Sequence, residues 1–357
     1  MNDTSHGTGG LTFDQSKRSW PNEMNILFAL ILIIVIFEIL GQVLPYMNGQ
    51  SFLFDTRGRF DTIFNEARLQ IIILQVAIIG IIALGVTQVI ITAGIDLSSG
   101  PLVAATAMIA MSFAQTELVN GNPNPKAIFG VWAMDLPVLV PVVIGLLFGG
   151  MIGAINGTFV AIFRIPPFIA TLGMFLICRG IALWWSAGRP VSFPTEGYKF
   201  IGSGMMPVVW FLSLAVLFHV ILRYTVYGKH TYAIGSNEEA ARMSGINVKR
   251  HKIMVYTIAS MLAAFAGVVL SAKASTAQAG MGEFYELFAI AMAVIGGISL
   301  TGGRGSIIGT VLGAMVLGVI RSGFTFVKLD GSYQLMAMGS IIIAAVILDQ
   351  YRQRNRA

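Results

Sequence analysis

Charge is what this chain has least of. Asp, Glu, Lys and Arg make up 11% of its 357 residues, while 55% are hydrophobic; soluble domains carry about 25% charged residues. So few charges could not clothe a water-facing surface, so the composition excludes a soluble globular domain and requires a lipid-embedded one. Cysteine is scarcer still. The single Cys178 excludes an internal disulfide and a thiolate metal cluster, and its place inside an apolar run reads as packing. The four histidines, His6, His219, His230 and His251, show no metal-ligand spacing, and neither H-E-x-x-H nor G-x-S-x-G occurs. No catalytic residue and no metal site is therefore assigned, and an intramembrane enzyme is not expected. A G-x-x-x-x-G-K-[ST] phosphate loop is also missing; Gly228-Lys229-His230 lacks the upstream glycine and the hydroxyl residue. No small-residue cleavage site follows the first apolar run, which points to an uncleaved first span rather than a signal peptide.

What the chain does have is apolar length. A bilayer crossing takes about 20 apolar residues. Runs fall at residues 24–46, 69–91, 98–114, 136–163, 166–187, 206–222, 253–272, 287–300, 306–323 and 334–348. The fold class expected is all-α: a polytopic membrane protein of about ten transmembrane helices, some broken or short. A polar tail (residues 1–23) precedes the transmembrane domain (24–349), and a basic tail (350–357) follows it. The net charge of +6 lies largely at the ends of apolar runs, so it signals membrane topology rather than nucleic-acid binding. Of the 23 Lys and Arg, thirteen fall on one side of a ten-span arrangement and nine on the other, with Arg179 inside a span. The positive-inside rule then puts both termini in the cytoplasm.

Two patterns recur. GIDLSSG at 94–100 is echoed by GISLTGG at 297–303, each after an apolar run and before a small-residue run; internal repeats with broken helices are a common way to build a transporter. Gly145, Gly149, Gly153 and Gly157 recur every four residues on one expected helix, and Gly305, Gly309 and Gly313 on another. Such ridges let helix backbones approach where lipid provides no hydrophobic drive. They serve either packing within the bundle or a subunit interface.

One polar island interrupts the apolar sequence: GSNEEAARMSGINVKRHK, residues 235–252, within a hydrophilic loop at 223–252. It reads as a short helix specified at both ends. Ser236 or Asn237 can cap it. Glu238 and Glu239 suit the positive end of the helix dipole. Arg242 lies in the last turn, and Gly245 can take the left-handed conformation beyond it. Lys249, Arg250, His251 and Lys252 then mark a membrane boundary. A membrane protein that keeps a well-specified helix outside the bilayer presents it to a soluble partner.

Glu239-Ala240-Ala241-Arg242-Met243-Ser244-Gly245 resembles the E-A-A-x-x-x-G core of the coupling loop in ABC importer permeases, without the downstream I-x-L-P. ITAGIDLSSG at 91–100, PPFIATLGMFLICRGIAL at 166–183, GSNEEAARMSGINV at 235–248 and GGISLTGGRGSIIGTVLGA at 296–314 resemble, in order, the ribose-type monosaccharide permeases. Phe288 stands where such permeases often carry an acidic residue, and the tail and the 46–68 loop are longer. The resemblance implies the inner-membrane subunit of a bacterial importer that passes a monosaccharide or polyol. It further implies a second permease subunit, as a homodimer, separate ABC ATPase subunits that use ATP and Mg, and a periplasmic sugar-binding protein. This chain would bind no cofactor itself.

On that reading Glu238, Glu239, Ala240, Ala241, Arg242 and Gly245 couple to the ATPase; the bland alternative is a solvated helix face. Asp96, Ser98 and Ser99 cap the third apolar run, line the pathway, or do both. Arg179 pairs with Asp96 or Glu38, or contacts sugar. Asn156 is interhelical glue or a ligand. Trp184 and Trp185 are interface anchors, and the methionines fill the core. An ion-gradient-driven secondary transporter, with Glu38 and Asp96 as ion sites, and a non-transporting membrane scaffold are the competing readings.

Overall fold

The computed structural model describes residues 22–55 and 63–354. The expected N-terminal tail up to residue 21, Arg57, Arg59 and the last three residues of the basic tail lie outside the described residues. The chain runs through α1 (Asn22–Val43), α2 (Glu66–Ile91), α3 (Ser99–Ser112), α4 (Leu139–Ala161), α5 (Pro167–Trp185), α6 (Glu196–Gly202), α7 (Met206–Tyr224), α8 (Val226–Ser236), α9 (Glu238–Met243), α10 (Val248–Ala274), α11 (Tyr285–Ile295), α12 (Ile307–Phe326) and α13 (Gly331–Arg354). Four two-residue strands form two antiparallel pairs. β1 (Leu118–Val119) joins β2 (Asn122–Pro123), and β3 (Val191–Ser192) joins β4 (Thr276–Ala277).

Seven of these helices are long and apolar enough to cross a membrane: α1, α2, α4, α5, α7, α10 and α12. The other three expected runs fall on shorter apolar helices, α3, α11 and the first part of α13. Every expected run is thus helical, but three are too short to be counted as crossings by length alone. One boundary differs by five residues at α10, which starts at Val248 rather than near 253. Asn247 caps it, its side chain accepting the Arg250 N–H at 3.1 Å. The basic residues expected to mark a boundary are therefore the first turn of this helix.

The interior is built around α2. From Val76 to Ile91 every residue of α2 is buried, and so is every residue of α3. Helices that are apolar all round belong in the middle of a bundle, and α10, α12, α11 and α7 surround α2. The outer helices α1, α4, α5 and α7 keep one apolar face exposed, with Leu32, Leu147, Leu176 and Val216 each at least 60% accessible. In a bilayer that face meets lipid. Cys178 is fully buried, as a packing residue would be.

Glycine sets the closest contacts. A Cβ on Gly149 would land on Ala264, on Gly153 at 2.7 Å from the Thr257 Cα, and on Gly157 at 2.6 Å from the Ile253 Cα. Gly145 has Thr106 of α3 at 3.0 Å and Val268 at 3.2 Å. The α4 ridge therefore lies backbone to backbone along α10. On α12, Gly309 and Gly313 face the end of α11 at Gly296 and Met292. Gly305 does not share that helix: it precedes the α12 cap Ser306, with φ 147°, and packs on Ile298.

At the end of the molecule away from α9, Gln115 ties three segments together. Its amide donates to the Lys126 and Ser192 carbonyls (2.8 and 2.9 Å) and its carbonyl accepts the Ile128 N–H. Trp184 is three-quarters exposed there, while Trp185 donates to Ser112 Oγ at 2.9 Å.

Replacing Gly153 with Leu should lower the melting temperature in detergent, since overpacking a tight contact costs about 1–3 kcal/mol. Gly173→Ala on α5, where a Cβ meets nothing within 4 Å, should leave it unchanged or raise it. A thermal-shift comparison of the two variants separates the ridge from the open face.

Candidate functional site

The polar island folds into α8, α9 and the start of α10. Asn237, in an extended conformation, breaks α8 and caps α9, its side chain accepting the Ala240 N–H at 2.9 Å. Glu238 and Glu239 occupy the first turn, where the dipole favours them. Arg242 approaches both, at 3.4 Å each. Gly245 follows at φ 84°, a conformation glycine adopts without a Cβ penalty. Ala241 is buried against Ile234 of α8 and Val248 of α10. The small side chain thus seats α9 on its neighbours while Glu239 stays 71% exposed.

Lys252 reaches back from α10 to Glu238 at 2.5 Å. Partial burial pushes the Glu238 carboxyl up, but Lys252 and then Arg242 more than offset this and leave it below the usual glutamate range. A depressed acid stabilises the fold above its unfolded value of about 4.3, and that contribution fades as pH falls through its lower folded value. The Glu238 side chain is 44% exposed and that of Lys252 16%, so salt still reaches the pair and weakens it.

Sequence reasoning found α9 but missed α8. Thr231 of α8 bonds to His251 Nε2 of α10 at 2.9 Å, which fixes the two helices that carry α9.

The end of α2, just ahead of the first echo segment, meets the second echo segment at this same end. The Gly303 N–H donates to the Ile91 carbonyl at 2.8 Å, and Gly235 of α8 packs between them, where a Cβ would strike both. Tyr232 donates to the Gly305 carbonyl at 2.9 Å. Both preceding helices close alike: the Gly94 N–H returns to Val89 and the Ile298 N–H to Ala293, after a left-handed Ala93 and Gly297. The helix α8 that leads into α9 therefore touches the end of α2 and the loop after α11. A cleft of about 840 Å³ lies beside it, bordered by Arg164, Glu238, Arg242 and Lys252.

Deeper in, Asp96 is fully buried. Its Oδ1 accepts the Ser98 N–H at 2.9 Å and the Ser98 hydroxyl at 2.6 Å, and Asn156 Nδ2 of α4 donates to Ser98 Oγ at 2.9 Å. Asp96 thus closes a turn ahead of α3 rather than capping it; Ser98 stands at the cap position without a side-chain cap bond. Asp96, Ser98 and Asn156 form one chain, with Ser99 buried beside it and its hydroxyl without a partner among the described residues.

Arg179 is elsewhere. It donates to the Ala279 carbonyl at 2.6 Å and pairs with neither expected acid. Glu38 instead accepts the Phe52 and Leu53 N–H groups at 2.9 and 3.3 Å. The residue missed is Glu286, 4% exposed in the first turn of α11, against which a Cβ on Gly100 would collide. A carboxylate at the head of an apolar run is the signal that marks it.

Comparison with known proteins fits this arrangement. Residues 68–346 match the family described as "Branched-chain amino acid transport system / permease component", and the chain belongs to that family. It is a transport component rather than an enzyme. It is 36% identical over 345 residues to the ribose import permease protein of Escherichia coli strain K12, covering 94% of this chain and 96% of the relative. The galactose/methyl galactoside import permease protein of the same strain is 35% identical, covering 83% of this chain and 90% of the relative. The fructose import permease protein of Rhizobium meliloti is 34% identical, covering 84% and 81%. No solved structure matches.

Asn237→Ala should remove the α9 cap, at a cost of about 1 kcal/mol. Hydrogen–deuterium exchange across residues 238–243 should quicken about fivefold, with α10 unaffected beyond its first turn.

Proposed function

We propose that this chain is the pathway-forming permease of an ATP-binding-cassette importer for a monosaccharide or related polyol. The observation that carries the reading is α9: a capped, charged, exposed helix fixed to α8 and α10 and, through α8, to the end of α2 and the loop that follows α11. Its residues Glu238, Glu239, Ala240, Ala241, Arg242 and Gly245 are the surface offered to an ATPase, which would supply the ATP and Mg chemistry absent here. Asp96, Ser98, Ser99, Asn156 and Arg179 belong to the pathway. The sugar class rests on the names of the ribose, galactose and fructose import relatives.

The finer picture belongs to the same proposal. Ten apolar helices lie in an inner membrane, with α3, α11 and α13 as the short ones. Both termini and α9 face the cytoplasm. Two copies form a homodimer, two ATPase subunits dock on α9 from below, and a periplasmic binding protein delivers the sugar from above.

Uptake of labelled D-ribose, D-galactose and D-fructose by cells carrying the full importer tests the function. Import of at least one should persist when an uncoupler collapses the ion gradient at constant ATP. Collapse under those conditions would instead favour an ion-driven transporter, with Glu38 and Asp96 as the candidate ion sites. Glu239→Lys reverses a charge in the first turn of α9, a loss of about 0.3–1 kcal/mol against the dipole alone. Uptake and ATPase co-purification should both drop while the protein still inserts. Unchanged values for both would remove α9 from the mechanism.

A Cys at position 99, in a Cys178→Ala background, should react with a small permeant thiol reagent faster in the inward-open nucleotide state. Reaction with a bulky impermeant reagent from outside in every state would refute the orientation.

A further inference from the structure

Away from α9 and its neighbouring loops, a second cavity opens between α5 and the turn leading into α11. It measures about 380 Å³, within the range of about 300–1,000 Å³ for small-molecule sites. Its wall mixes two kinds of group. Phe175 and Phe284 supply aromatic surface; Arg179, Glu283 and Glu286 supply charge. Arg179 is held by the Ala279 carbonyl through one nitrogen, at 2.6 Å, which fixes its guanidinium at the rim.

Two features of this wall are costly to the fold unless something else uses them. Glu286 is 4% exposed, and its Oε2 has no hydrogen-bond partner among the described residues; a buried acceptor left unmade destabilises the folded state. Phe284 sits at φ 63°, a conformation rare for a bulky side chain and concentrated at working sites. The preceding Gly282, at φ 70°, lies against the Gly100 carbonyl, so the turn is wedged onto the head of α3 and the phenyl ring is held at the cavity mouth.

The depth of the site follows from helix length. The eleven residues of α11 span about 16 Å, roughly half of a hydrocarbon core of about 30 Å. Its far end, Gly296, packs on Gly309 beside the loop that touches α8. Its near end, with Glu286, is therefore in the middle of the protein.

We propose that this cavity is a monosaccharide subsite partway along the transport route, a proposal that rests on the importer reading above. A sugar ring offers C–H faces that fit aromatic walls. Its hydroxyls donate to the carboxylates of Glu286 and Glu283, which line the cavity, and accept from the remaining N–H groups of Arg179, as charge-assisted hydrogen bonds. Phe284, at the mouth, selects the flat ring, and Glu286 reads hydroxyl position.

The test uses the full importer in cells and the labelled sugar, among D-ribose, D-galactose and D-fructose, that the wild type imports. Glu286→Gln keeps the shape of the side chain but removes its charge, and uptake should fall about tenfold while ATPase subunits still co-purify. Phe284→Gly relieves the positive φ, so its melting temperature should hold or rise while uptake falls to a similar extent. Lost transport without lost stability is an outcome that a purely structural role would not give. Wild-type uptake in both variants, or losses that only track the amount of protein in the membrane, overturns the subsite. Failure of the importer reading looks different: the wild type itself then imports none of the three sugars at the expense of ATP.

Discussion

Gly100 and Gly282 meet so closely that a side chain on either would strike the other's segment, and the rest of the bundle is arranged to permit that contact. It joins the heads of two short helices, α3 and α11, inside the protein. Non-helical backbone at such depth is tolerated only where protein or a water-lined cavity covers it. Here α3 is buried along its whole length by α10, α5 and α4. The chain on either side of the contact satisfies its polar groups locally, through the Asp96–Ser98 turn and the β3–β4 pair. Oxygens left open at this point, on Asp96, Asn156 and Glu286, mark the interior as polar in an otherwise apolar molecule.

The second element of the architecture is α10, the spine that most of the interior shares. It touches α2, α3, α4 and α6, and its 27 residues span about 40 Å. The α4 glycines allow contact at backbone distance, which matters because dispersion and packing replace hydrophobic drive between helices in lipid. One end of α10 is capped beside α9; the other passes into β4 and the turn that shapes the Arg179–Glu286 cavity. A displacement at α9 thus has a continuous packed path to the interior, through α10 and through the loop contacts of α8.

Charge is divided between these two regions by different rules. Around α9, Glu238, Arg242 and Lys252 pair within reach of solvent, where each pair contributes little to stability and is free to change partner. In the interior the carboxylates of Asp96 and Glu286 have no ion pair among the described residues. They are held by backbone and hydroxyl groups or left with an open oxygen. The first arrangement suits a docking surface, and the second suits a site that receives hydroxyls.

The sequence alone determined the membrane class, the position of every apolar run and the capped helix at 237–245. These depend on local composition: apolar length, a capping asparagine and a glycine that accepts positive φ. The glycine ridge was also readable as a face, because a period of four is a helical property. What it would touch was not, and α10 as its partner came only from the fold. Tertiary structure likewise decided that Arg179 binds backbone carbonyls rather than an acid, that Asp96 closes a turn instead of capping α3, and that Gly305 stands outside α12. It also brought the end of α2 and the second echo segment together at α8 and exposed Glu286 as an interior residue. The physical reason is the same in each case. A capping bond or an apolar run is settled within a few residues, whereas these contacts join positions tens to hundreds of residues apart, fixed by how whole helices pack.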